Sequence, residues 1–416
     1  MTPFALLFIL SLIIILSGII LLRKSLLSPL AIVYCSWCFV FIGLFFGDLG
    51  LYNVTDRLLF LYSLWLIFFS LGSLFSNIIK IKHTSCINNV SYNESLFSVL
   101  YKLLIIIIPV LIYKIVRIMM LGGEALISLR MAATGKDIEV EGIGFLNYFS
   151  PLAIILFLAE LYRLKPCDSR IRLLVLLFIN FLFAFSSMAK VSVIFIIIPS
   201  IIILSFKKQI KVKQIMIIVC LLITILISIQ QGKGINRDLS LFEALVEMLK
   251  VYIFAGVPAM DQVLEENVSS GLWGEHVFMS FYKLLNVLGF DFIFDEGDSF
   301  VGTGGYAMVP FYTNVFTVLY VFYVDFGVVG IIVFAFFTGF LTSYLYRLAL
   351  NKQTWALILY AYFATSLSLQ FFDDFIFSML SLNLQLMFWA YFIYHSRLKY
   401  KFVFIKKVYK TLDYLK

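Results

Sequence analysis

Lys114 and Arg117 stand three residues apart in LIYKIVRIM, on one face of any helix that contains them. Arg130 follows in GGEALISLRMAATGKD, Lys190 in SSMAKVSV, and Lys233 and Arg237 in QGKGINRDLS. Gathered on one surface, such side chains hold a phosphate or pyrophosphate by charge-assisted hydrogen bonds, Arg with paired donors and Lys as a point charge. Each also has a plainer use, pairing with carboxylates or reaching along apolar surface to water. For moving protons the chain offers His276 beside Glu275 in LWGEHVFMSF and Asp325 in YVDFGVVG. Of these, His276 has the ordinary pKa closest to neutrality. Asp261, Glu265, Glu266, Asp291, Asp373 and Asp374 are further carboxylates, and spacing alone selects none of them as a base. Asp373-Asp374 reads as a solvated turn. The DEGD run at 295–298 lacks the remaining oxygen ligands of a calcium loop, so no metal or other cofactor is expected.

The elements that must position these groups are membrane helices. Of 416 residues, 62% are hydrophobic and 13% charged, and mean hydropathy is +1.02. Globular chains are about half apolar and about a quarter charged. A secreted enzyme, a nucleic-acid binder and a disordered scaffold are thereby excluded. Runs long enough to cross about 30 Å of hydrocarbon lie near 3–22, 30–46, 57–79, 100–120, 145–162, 171–187, 190–206, 214–231, 326–347, 354–371 and 376–395. The expected fold class is an all-α polytopic integral membrane protein with about eleven transmembrane helices. Cys35 and Cys38 have a C-x-x-C spacing within an apolar run and read as small buried side chains rather than a redox or metal pair.

Most of the 32 Lys and Arg fall in alternate connections and in the tail from Arg397, while most of the 24 carboxylates fall in the others. The basic side is expected to be cytoplasmic, with the N-terminus outside as an uncleaved anchor and the basic tail 397–416 inside against anionic headgroups. Four regions follow: 1–231 with eight spans and an external loop at about 121–144, a large external loop at 232–310, an interfacial helix with three spans at 311–396, and the tail. Within the large loop, Leu241, Leu245, Leu249 and Tyr252 recur at helical spacing, predicting amphipathic helices on the outer membrane surface. The stretch Tyr312–Tyr346 is too long for one bilayer-crossing helix and requires a break, which Asp325-Phe-Gly327 supplies. Asp325 would cap the span that follows, and Tyr312–Val324 would form an interfacial helix presenting Tyr312, Asn314, Tyr320 and Tyr323 to a sugar-and-phosphate ligand.

Asn314-Val-Phe-Thr317, followed by Tyr320, Tyr323, Asp325-Phe-Gly327, Gly330 and Gly339, resembles the signature of the Wzy-type O-antigen polymerases, the oligosaccharide repeat-unit polymerases. Gly122-Gly123 with Arg130 downstream resembles that family's first external arginine loop, and Lys190 stands where many members carry an Arg. Tyr252, Gly256-Val-Pro258 and the long outer loop match in layout. The resemblance implies a GT-C-like glycosyltransferase of a Gram-negative inner membrane, acting at the periplasmic face without a metal. Its donor and acceptor would be undecaprenyl-pyrophosphate-linked oligosaccharides, with membrane lipids and a chain-length regulator as further partners and no nucleic acid. Arg130, Arg117, Arg237 and Lys190, with Lys233 and Lys114, would bind the pyrophosphate, and His276, Glu275 or Asp325 would serve the chemistry. A lipid-linked oligosaccharide flippase or an O-antigen ligase are the alternatives. Charges gathered at an outer rim, without inverted repeats, argue against a transporter.

Overall fold

The computed structural model describes residues 2–21, 25–47, 49–81, 92–121, 125–134, 142–165, 168–232, 240–293 and 306–396. The chain is predominantly helical. In order the helices are α1 (Pro3–Leu21), α2 (Pro29–Phe46), α3 (Asp56–Phe75), α4 (Glu94–Met120), α5 (Ala125–Thr134), α6 (Ser150–Arg163), α7 (Ile171–Ser187) and α8 (Lys190–Phe206). They continue with α9 (Val212–Gly232), α10 (Leu241–Leu249), α11 (Gly256–Glu266), α12 (Glu275–Val287), α13 (Leu319–Leu350), α14 (Thr354–Ser368) and α15 (Leu380–His395). Among the described residues, six stretches are long and apolar enough to cross a membrane: α1, α2, Asp56–Ile78, α4, Gly144–Arg163 and α13. Ile171–Ser187, Lys190–Phe206 and Lys213–Ser228 are apolar but shorter. The protein is therefore membrane-embedded.

Helix starts follow local chemistry. Ser28, Thr55 and Asn93 have extended backbones and side-chain oxygens that accept from Ala31, Leu58 and Leu96 N–H. At the α7–α8 turn Met188 takes a left-handed conformation (φ 47°) that ends α7, and Lys190 begins α8 one residue after Ala189.

The closest helix crossing joins α3 to α13. A Cβ built on Gly72 would lie 2.0 Å from the Phe336 carbonyl oxygen, and one on Gly339 would lie 2.0 Å from the Phe69 carbonyl oxygen. Only hydrogen fits at either position, so the two backbones pack directly, and the Ser343 hydroxyl donates to the Ser73 hydroxyl at 2.7 Å beside them. Around this pair the core is aromatic, with Trp37, Trp65, Tyr62, Phe41 and Phe69 fully buried.

One end of the bundle is closed by ion pairs. Glu160, with no exposed side-chain surface, accepts from Arg163 at 2.6 and 3.1 Å and from the Tyr92 hydroxyl at 2.6 Å. Arg172 donates to Glu94 at 2.7 Å and lies over the Phe97 and Tyr101 rings. This ties the start of α4, the end of α6 and the start of α7 together.

At the opposite end one sequence expectation changes and others are filled in. The 121–144 connection contains the helix α5. The long loop holds α10, a wider helical turn at Lys250–Phe254, α11 and α12, as the amphipathic pattern implied. Tyr312–Val324 is not one interfacial helix: Tyr312–Thr313 pairs as a strand with Ala307–Met308, and helix begins only at Leu319. The break inside α13 is at Gly327, whose φ of 63° and ψ of −150° no other residue type adopts easily. Cys38 is buried as expected, whereas Cys35 is exposed; both are free thiols.

Candidate functional site

Asp325 lies one turn into the first half of α13, just before the Gly327 break. Its carboxylate does not cap the helical segment that follows it, as the sequence suggested. It turns instead to the start of α12, where it accepts from the backbone N–H of His276 at 3.0 and 3.3 Å and of Val277 at 3.0 Å. Gly327 kinks the helix two residues after Asp325. The same carboxylate meets His276 Nδ1 at 2.6 Å. An ionised carboxylate only accepts, so Nδ1 is the donor in this contact, and the buried Nε2 is the ring's other nitrogen. The Asp325 side chain is fully buried and the His276 side chain is 13% exposed, which screens the pair from water. The His276 ring also packs edge-on to Tyr320, centroids 5.9 Å apart. Glu275, the neighbour of His276, is buried and accepts from Gly271 and Leu272 N–H at 3.1 Å, closing the turn that precedes α12.

A cavity of about 400 Å³ lies among α5, α8, α10 and the turn after α14. Its walls are apolar, from Leu226, Met248, Ile253, Phe371 and Phe372 among others, and two cations reach it: Arg130 from α5 and Lys190 from the start of α8. Lys190 is 9% exposed, and its ammonium lies 4.0 Å from the centroid of the Tyr252 ring, also part of the lining. A lysine at a helix N-terminus adds its charge to the positive end of the dipole, an arrangement unfavourable for stability and favourable for an anion. Burial raises the pKa of the Tyr252 hydroxyl, and the Arg130 charge opposes that shift. Two cations in a low-dielectric pocket suit a large anion with an apolar attachment.

The turn between α14 and α15 forms one wall of the cavity through Leu369, Phe371, Phe372 and Phe375. Gln370 is fixed by the indole N–H groups of Trp37 and Trp65 at 3.1 and 3.2 Å, and its carbonyl accepts from Val318 N–H at 2.8 Å. Asp374 accepts from Ile376, Phe377 and Ser378 N–H at 2.8 to 3.1 Å. Phe371 and Phe372 face the cavity. Asp373 follows them, partly buried, accepting from Asp374 N–H at 2.7 Å. Asp373 and Asp325 both bear electrostatically on Tyr320. Burial, then the neighbouring Asp374 charge, pushes the Asp373 carboxyl up to about 8; burial pushes Asp374 up to about 6 against the three N–H donors. The solvated turn read from the sequence is therefore wrong. These carboxylates are the groups that sequence reasoning passed over, and the available signal was two adjacent Asp in QFFDDFIF.

Of the other residues singled out by sequence, Lys114 and Arg117 lie on α4 outside the cavity lining, Arg117 exposed. Tyr312 and Asn314 are exposed around the second strand. Tyr323 accepts from Arg57 at 3.1 Å, in a brace that also includes Thr55 donating to the buried Asp261 carboxylate at 2.5 and 2.6 Å. Thr317 is buried and receives the Tyr62 hydroxyl at 2.7 Å. Lys233, Arg237 and the DEGD run fall outside the described residues. Among the described residues no group of three or more His, Cys, Asp or Glu could hold a metal ion. No family model, curated protein or solved structure matches the chain.

Proposed function

We propose that the chain is a glycosyltransferase that polymerises undecaprenyl-pyrophosphate-linked O-antigen repeat units, working at the periplasmic face of a Gram-negative inner membrane through a GT-C-like fold of about eleven spans. One observation carries the reading: Arg130 and Lys190, far apart in sequence, line one apolar cavity, and the His276–Asp325 pair is the proton-accepting group we assign to it. The acceptor's non-reducing-end hydroxyl attacks the donor's anomeric carbon, and the bond to pyrophosphate breaks with its electron pair. Arg130 and Lys190 stabilise the charge that grows on the leaving group. His276 Nε2 takes the hydroxyl proton, and Asp325 holds the ring in the required tautomer and stabilises the imidazolium that results. The partners are the two lipid-linked oligosaccharides and the surrounding lipid, with a chain-length regulator alongside.

Deleting the gene in its source strain and running a lipopolysaccharide gel tests the class of activity. A ladder reduced to core plus one repeat unit supports polymerisation; loss of every O-antigen band supports the flippase or ligase reading. Complementation with Arg130→Ala and with Lys190→Ala is expected to leave protein level unchanged and abolish long chains. Wild-type chain length from both variants removes the anion-site assignment.

A further inference from the structure

A second cavity, of about 180 Å³, shares Val191, Ser192 and Met379 with the cation-bearing one. It runs inward between α6, α7, α8, α14 and α15. Its lining extends from Ser187 to Asn180 on α7, seven residues or about 10 Å along the helix. Neutral polar groups sit near the mouth, with the Ser187 and Ser192 hydroxyls 3.3 Å apart. Ile154, Phe183, Phe195, Ile196 and Leu386 surround the inner part, and no charged side chain lines it. Asn180, the deepest polar residue on α7, spends its amide N–H groups on the Ala153 and Leu176 carbonyls.

The two cavities adjoin at Val191, Ser192 and Met379, so an uncharged inlet opens into the space that Arg130 and Lys190 line. A hydrocarbon-compatible space next to a cationic one matches the order of parts in a lipid phosphate, hydrocarbon and then anion. We infer that the inner cavity holds the isoprenoid segment next to the phosphate of a lipid-linked anion whose head lies between Arg130 and Lys190. The inference rests on the anion-site reading above and adds where the hydrocarbon goes: into the helix bundle, between α7 and α8.

Equilibrium binding by the full-length protein in nanodiscs tests it, with inorganic pyrophosphate, farnesyl pyrophosphate and glucose 1-phosphate as probes. Farnesyl pyrophosphate is expected to bind at least about tenfold tighter than pyrophosphate, the factor that burying two methylenes supplies. Filling the inlet from facing helices, with Ala184→Leu on α7 or Ile196→Phe on α8, should erase that advantage. Pyrophosphate affinity should stay at the wild-type value, which also reports that the variants are folded. A farnesyl advantage that survives both substitutions overturns the inference and leaves the anion site standing. So does a glucose 1-phosphate advantage sensitive to the same substitutions, which would make the inlet a sugar pocket. Pyrophosphate binding indifferent to Arg130→Ala and Lys190→Ala overturns the anion site and the inference together.

Discussion

The two ends of the helix bundle hold their carboxylates in opposite ways. At one end Glu160 is met by a guanidinium at 2.6 Å and by a tyrosine hydroxyl, and Glu94 by a second guanidinium at 2.7 Å. At the other, Asp325 is met by two backbone N–H groups and an imidazole, Asp374 by three backbone N–H groups, and Asp261 by Thr55. A carboxylate paired with arginine has its field cancelled at short range and works as a strut. One held by neutral donors stays oriented while its charge still acts on its neighbours. Acid–base chemistry needs the second arrangement, and it occurs at the end with the longest connections, whereas the Glu160 end has a cavity of about 400 Å³ lined by its own Arg163 and Arg172.

Removing the loop-end carboxylate at its centre should have the largest effect. Asp325→Ala leaves the His276 and Val277 N–H groups without their acceptor and frees the imidazole, so chain extension in membranes should fall by about 10²–10⁴, the usual worth of a positioned proton acceptor. Asp325→Asn, which keeps an acceptor, should preserve protein level yet still lose most of the activity. Activity near wild type in Asp325→Asn would place that carboxylate among the struts. Glu160→Ala at the opposite end should do the reverse. A thermal melt in detergent should show a loss of about 2 kcal/mol, less than a wholly buried pair costs because Arg163 reaches solvent, with activity per folded molecule retained. A change in activity without a change in melting would break the contrast.

The pH dependence sharpens it further. Asp373, raised from 3.8 to about 8 by burial and by Asp374, favours its protonated form in the folded protein. The associated stability is fully present below about pH 4 and is lost as pH rises towards 8. Asp373→Asn should therefore melt higher than wild type at pH 8.5 and show a flatter dependence between pH 5 and 8.5. Parallel curves for the two proteins would mean that the carboxyl titrates normally. Tyr323→Phe should have the smallest effect. It loses one hydrogen bond from Arg57, worth about 1 kcal/mol or less in a melt, and chain length on a gel should not change unless the hydroxyl touches sugar.

What the sequence made legible was local. The apolar runs, the helical periodicity of 241–252 and the break at Asp325-Phe-Gly327 all follow from residue type and spacing. What it hid was set by distant partners. The turn holding Asp373 looks solvated on its own; it is partly buried because Gln370 receives the indole of Trp37, 333 residues away. Asp325 looks like a cap for the residues after it, and its actual partners lie 49 and 48 residues earlier. Tyr312–Thr313 reads as the start of a helix because its aromatic periodicity ignores the competing strand at Ala307–Met308. In each case a contact across the fold outweighed a correct local propensity.

Gly327 and Gly339 divide α13 into a half that presents Asp325 and a half clamped backbone to backbone against α3. A helix advances about 100° per residue, so the number of residues between these two glycines sets the angle at which the carboxylate leaves the clamp. The spacing thus acts as a phase setting. Inserting or deleting one residue in 328–338 would keep both glycines, both helices and every residue of the site in the chain, and would aim Asp325 at a different neighbour.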